Sequence, residues 1–92
     1  MDKCQPISVV LENNRKLFIL LVEDADLINN NDPECYYCAS GDYSQPAVFF
    51  SSASDAVDDA FARIGSISPI ARVLPTVGLG NFLTQQELDA KI

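Results

Sequence analysis

The chain has 92 residues and a mass of 10.0 kDa, the size of one small domain with a thin core. Hydrophobic residues make up 48% and charged residues 21%, an ordinary globular mixture that argues against wholesale disorder. Thirteen Asp or Glu against six Lys or Arg give a net charge of −7, which repels nucleic-acid phosphate and anionic membranes, and the absence of histidine excludes Ser-His-Asp and Cys-His nucleophiles and every His-containing metal site.

Ile7-Ser-Val-Val-Leu11 is rich in β-branched residues and reads as a first strand. Asparagine tolerates positive φ, so Asn13-Asn14 are expected at the centre of a tight hairpin turn. Lys16 to Val22 is too short for a typical helix and is bounded by turn residues, which makes it the second strand. Its core, Leu17 to Val22, is the longest uninterrupted apolar run. A strand with one wet face alternates apolar and polar residues, so this run calls for cover on both faces of the sheet. It falls far short of the roughly 20 residues that span a bilayer. The N-terminus lacks a charged start followed by an apolar run, so a cytoplasmic setting is the expectation.

From Glu23 to Glu34, Asn and Asp residues and Pro33 read as an exposed loop, with one helical turn conceivable over Asp24 to Ile28. Cys35 to Ala39 is expected as a third strand and Ala47 to Phe50 as a fourth, joined through Ser40-Gly41-Asp42 into a second hairpin, with Pro46 at the mouth of the fourth strand. The helix signal is clear: Val57, Ala60, Phe61 and Ile64 recur at i, i+3, i+4 and i+7. Ser52 is placed to cap it, Asp55, Asp58 and Asp59 match its dipole, Arg63 stands in the last turn, and Gly65 is the expected stop, giving a helix over residues 53–64. Ile70 to Leu74 reads as a fifth strand ended by Pro75, and Gly78-Leu79-Gly80-Asn81 as a loop. Thr84-Gln-Gln-Glu87 is a capping-box signature opening a short C-terminal helix, with Leu88 and Ile92 at i and i+4. The expected fold is a single small α+β domain over residues 1–92. It has an antiparallel sheet of four to five strands from two hairpins, packed by one amphipathic helix, with a short C-terminal helix.

One convincing helix covers one face of a sheet. The second face is then expected to be covered by the C-terminal segment Val77–Ile92, through Leu79, Phe82, Leu83 and Leu88, or by a second copy of the chain. Each buried Leu or Phe is worth about 1.5–3 kcal/mol, so a homodimer is the expectation.

The acidic excess is concentrated. Glu23, Asp24, Asp26, Asp32, Glu34, Asp42, Asp55, Asp58 and Asp59 fall between residues 23 and 62 with no basic residue among them. These are the candidate partner-binding residues, and a protein with a basic surface is the partner they fit. The simplest role for such charge is to keep a hydrophobic domain in solution.

Cys35-Tyr-Tyr-Cys38 has the C-x-x-C spacing of redox sites and zinc knuckles. Its surroundings suit an extended chain, where residues three apart point to opposite faces and cannot cooperate. Three cysteines without histidine leave a zinc site one ligand short. An EF-hand register starting at Asp24 puts Asn29 where glycine is needed and Cys35 where the bidentate glutamate belongs. Gly78-Leu-Gly80 lacks the lysine of a P-loop and the third glycine of a dinucleotide fingerprint. Tyr36, Tyr37 and Tyr43 have no basic neighbours to hold phosphates and read as packing and rim residues. No catalytic pair, cofactor motif or complete metal site results, and an enzyme is the least favoured class. The leading expectation is a non-catalytic protein-interaction module acting through its acidic middle segment. Two alternatives are a nucleic-acid-mimicking inhibitor of a basic DNA- or RNA-handling protein and a small metal- or ligand-binding protein.

Overall fold

The computed structural model describes residues 3–23, 36–40, 48–75, 80 and 82–92, and of residues 39 and 40 only the backbone. The elements are β1 (Lys3–Leu11), β2 (Lys16–Glu23), β3 (Tyr36–Ser40), α1 (Ala53–Gly65), β4 (Ile70–Pro75) and α2 (Gln85–Asp89). The strands form one antiparallel four-stranded sheet in the order β3-β2-β1-β4. The class is α+β, with the fifth strand of the sequence pattern closing the sheet beside β1.

The hairpin β1–β2 is the backbone of the fold. Its loop is wider than the two-residue turn expected: Asn14 N donates to Leu11 O, Leu11 N donates to Arg15 O, and only Asn14 takes a positive φ, 68°. This is a three-residue hairpin loop, Glu12 to Asn14, whose last residue is the left-handed one. Asn13 contributes through its side chain, whose Oδ1 accepts from Arg15 N.

β1 begins four residues before the segment expected from the sequence, and Pro6 lies inside it, paired with Leu20. The backbone explains the tolerance. Cys4 O accepts from Gly80 N and Glu12 N donates to Pro69 O, so the even-numbered residues of β1 turn their hydrogen-bonding groups toward the β4 side. The last β4 pair is Ile7 with Pro75, so Pro6 lies past the end of that ladder, where a missing N–H costs nothing. Gly80 passes so close that a Cβ there would stand 2.6 Å from the Phe82 ring.

The expected fourth strand contributes less than a hairpin arm. Phe50 makes a single antiparallel bridge with Tyr36, and Val48–Phe50 otherwise lies outside the sheet. Helix α1 matches its sequence signals: Ser52 Oγ accepts from Asp55 N, and Ala56, Val57, Ala60, Phe61 and Ile64 form its buried face. It runs through Gly65 without a left-handed glycine and ends at Ser66, whose hydroxyl donates to Arg63 O. The capping box at Thr84 and Glu87 is formed in full, and Leu88 is buried, whereas Ile92 is half exposed rather than paired with it.

The core lies between α1 and one face of the sheet. Ile7, Val9 and Leu11 of β1, Leu17, Ile19 and Leu21 of β2, Tyr36 of β3 and Val73 of β4 meet the helix there. The C-terminal segment joins the same side, with Leu83 and Leu88 in this core and Phe82 edge-on to Tyr36 at 5.4 Å. Gln5, buried on this face of β1, fixes it there. Its Nε2 donates to Leu83 O, and its Oε1 accepts from Phe82 N and Leu83 N. The expectation that Phe82, Leu83 and Leu88 would cover the second face is therefore corrected. A buried amide that is hydrogen-bonded through both its nitrogen and its oxygen holds them beside the helix. Leu79 lies outside the described residues.

Candidate functional site

Strand periodicity sorts the hairpin's side chains onto two faces. Leu17, Ile19 and Leu21 enter the core. Phe18, Leu20 and Val22 point the other way, onto a face that no described helix crosses. Register brings three apolar rows together there. Phe18 lies opposite Ser8, which pairs with Leu74. Leu20 lies opposite Pro6 and Ala39. Val22 lies opposite Cys4 and Tyr37. Phe18 is 63% exposed and Leu74 47%. At the β3 edge Phe49, 44% exposed, meets the Tyr37 ring edge-on at 5.3 Å. Leu20 is half-buried and Val22 and Val10 are buried, so the exposed apolar surface here is Phe18 and Leu74 on either side of Ser8, with Phe49 at the β3 edge. Large apolar side chains exposed on one face mark a docking surface more often than residues scattered over a molecule do.

The charges of this face differ from those of the chain. A fourth row, Lys16–Val10–Arg72, carries two exposed basic side chains, neither of which makes an ion pair among the described residues. No acidic residue of the four strands stands on the open face, and exposed Glu12 follows β1 at the end that carries Lys16 and Arg72.

The candidate acidic residues are dispersed. Asp55, Asp58 and Asp59 lie on α1, on the opposite side of the sheet, and two of them are engaged within the chain. Asp59 pairs with Arg63 at 3.0 Å. Asp58 accepts from Lys91 Nζ at 2.7 Å, and the same ammonium donates to Ser54 Oγ at 2.6 Å and Ser54 O at 3.3 Å. With all three protons engaged, Lys91 is no base for the Ser54 hydroxyl. The cluster ties the C-terminus to α1. Asp55 is exposed in the first turn, and Glu23 is half-buried at the end of β2. Asp24, Asp26, Asp32, Glu34 and Asp42 lie outside the described residues, as do Cys35, Tyr43 and the Gly78-Leu79 pair.

The thiols are separated by the sheet. Cys38 lies on the core face opposite Leu21, and Cys4 lies on the open face opposite Val22. Burial pushes the Cys38 thiol up to about 12, with Arg63 lowering and Asp59 raising it by smaller amounts. A thiol held protonated in this way is a packing group rather than a nucleophile. Among the described residues there is no group of three His, Cys, Asp or Glu that could hold a metal ion, and no helix long and apolar enough to cross a membrane.

Sequence reasoning missed Gln5, because nothing in the pattern separates a buried glutamine from a surface one. It also treated the two faces of β2 alike, although the signal for an open face was present: Ser8, Lys16 and Arg72 share that face with its apolar residues. No family model, no curated protein and no solved structure matches this chain.

Proposed function

We propose that the protein is a non-catalytic protein-interaction module whose contact surface is the open face of its sheet. The observation that carries this reading is the exposure of two large apolar side chains, Phe18 and Leu74, on either side of Ser8 on the side of the sheet away from the helix. A domain with a thin core gains little from leaving such residues in water, and their use is to bury against another surface. The outer edge of β4 is a poorer docking line, because Gln85 Nε2 already donates to Val73 O there at 2.9 Å. The acidic segment takes a supporting role in this reading, since Asp58 and Asp59 are spent on Lys91 and Arg63.

Affinity capture from extracts of the source organism tests the reading, run with wild type and Phe18→Asp at low and high salt. Apolar docking through this face predicts a bound protein that survives high salt and is lost in the variant. A catch that is indifferent to Phe18 and disappears at high salt would transfer the contact to the acidic segment.

A further inference from the structure

We infer that the open face takes an acidic amphipathic helix of a partner protein, laid along β1 with its apolar side chains between Phe18 and Leu74 and its carboxylates toward Lys16 and Arg72. The inference rests on the reading of that face as a docking surface and names the chemistry of the partner.

Two adjacent rows of the sheet set the shape. In Phe18–Ser8–Leu74, two large exposed side chains flank a small one. In Lys16–Val10–Arg72, two exposed basic side chains flank a buried valine. β2 and β4 lie on either side of β1, so the four long side chains start from two lines about 10 Å apart. The floor between those lines is Ser8 and Val10. Its width is close to the roughly 10–12 Å diameter of one helix with its side chains. Neighbouring rows on one face of a strand are about 7 Å apart, and residues four apart on a helix rise about 6 Å. An apolar residue seated over Ser8 and a carboxylate four residues on therefore meet the two rows in turn.

Backbone chemistry selects a helix over an extended segment. The face of a sheet, unlike its edge, offers no backbone groups. An extended peptide laid on it leaves its own N–H and C=O groups without protein partners, while a helix pairs them internally. The chain's own α1 covers the other face in this way, and a second helix gives an apolar strand like β2 its cover on both sides.

Charge selects acid. At this end of the sheet Arg15, Lys16 and Arg72 stand exposed against Glu12, and Lys16 and Arg72 make no ion pair among the described residues. At the opposite end Lys3 lies across from Glu23, on the helix side. Asp55, Asp58 and Asp59 sit on α1, a layer behind the sheet, at about the 10 Å over which 0.1 M salt screens a charge. The sign called for is thus opposite to that of the net charge of −7, because a contact answers to the groups at its own rim. A second copy offers no such partner among its described residues. Its open face repeats Lys16 and Arg72, and its acidic helix keeps Val57, Phe61 and Ile64 in the core.

A phage-displayed library of helical peptides of about 20 residues, selected on the full chain, tests this. Fluorescence anisotropy of the selected peptides gives their affinities. They are expected to carry Asp or Glu four residues from a large apolar side chain. Phe18→Asp weakens them at least about tenfold with an unchanged far-UV spectrum. Leu74→Asp, on the edge strand, provides the same test should the first variant fail to fold. Exchanging the peptides' acids for lysine weakens binding to wild type several-fold, and Lys16→Glu with Arg72→Glu reverses that preference. Glu12→Gln tightens the acidic peptides about twofold. Phe18-dependent peptides that are basic, or indifferent to the charge reversals, overturn the inference and leave the docking face standing. A wild type that yields no such peptide and instead dimerises through Phe18 in sedimentation equilibrium does the same. A monomeric wild type without a Phe18-dependent peptide also overturns it, and the docking reading falls with it if affinity capture returns no Phe18-dependent protein.

Discussion

The two faces of β2 are made from nearly the same residues and meet opposite fates. Leu17, Ile19 and Leu21 are buried under α1, while on the other face of the same strand Phe18 is exposed, Leu20 half-buried and only Val22 closed off. Hydropathy cannot explain the difference, because the six residues are all apolar. Topology does. The chain leaves β3 and returns to β4 through α1, which packs on one side only, and Gln5 then draws the C-terminal segment onto that side as well. Among the described residues both helices and Leu83 lie on one face, while the other has Phe49 against Tyr37 at its β3 edge. A continuous apolar run thus states that two faces need cover, while the connections decide which face receives it.

Truncation at the two faces gives the largest contrast. Leu21→Ala removes a fully buried side chain from the middle of the core and is expected to destabilise by about 2–5 kcal/mol. Phe18→Ala in dilute protein removes a larger group that is mostly in water, with an expected loss under about 0.5 kcal/mol. Urea denaturation at low micromolar concentration measures both. Comparable losses would mean that the outer face is covered within one chain, and the comparison would break.

The covered face owes its second layer to Gln5. Gln5→Ala leaves Phe82 N, Leu83 N and Leu83 O without their partner. Each buried polar group left unpaired costs about 1–3 kcal/mol, part of which is recovered as the segment lifts into water. The expected net loss is roughly 2–3 kcal/mol. Hydrogen exchange checks the route. Protection at Leu83 and Leu88 falls first, while the β1–β2 ladder keeps its protection.

The thiols sharpen the comparison chemically. Cys38 on the covered face is held protonated up to about pH 12, well above the ordinary value of 9.0. Between these values the folded chain keeps a proton that the unfolded chain has released, so its stabilising effect is complete below pH 9 and declines as pH rises toward 12. The slope from this group is at most about 1.4 kcal/mol per pH unit, and it disappears in Cys38→Ala. Alkylation at pH 8 is expected to modify Cys4 on the open face and spare Cys38 until the chain unfolds.

Much of this was legible in the residues. The helix carried three concordant signals, its periodic Val57-Ala60-Phe61-Ile64 face, the Ser52 cap and the Arg63 end, and it formed within one residue of the expected range. The hairpin β1–β2, the edge strand ending at Pro75 and the Thr84 capping box were equally local, and local signals survive folding. The misreadings share a cause. Pro6 concealed the first four residues of β1 because a proline is harmless only where the neighbouring strand has ended, and that end is set some 70 residues later. Phe50 had the composition of a strand, but only the bridge to Tyr36 formed. Gln5 is invisible without Leu83. Whatever depended on contacts distant in sequence, including which face of β2 stays open, was beyond a reading by neighbours.

The assignment of residues to faces rests finally on the hairpin loop. A slip of one residue in β1–β2 pairing would exchange Phe18 for Leu17 and turn the whole core set outward. Asn14, at φ 68°, is the only described non-glycine residue with positive φ and completes the loop that sets this register. Alanine in that conformation crowds its own backbone, so Asn14→Ala is expected to cost about 1 kcal/mol. Asn14→Gly should stay within a few tenths of a kcal/mol of wild type, because glycine takes this geometry freely but loses more freedom on folding. Thermal melts rank the three proteins. A destabilised Asn14→Ala that keeps Phe18 exposed and Leu17 protected shows that core burial holds the register with the turn assisting. An exchange of protection between those two positions would show that the turn alone decides which face of the sheet is left open.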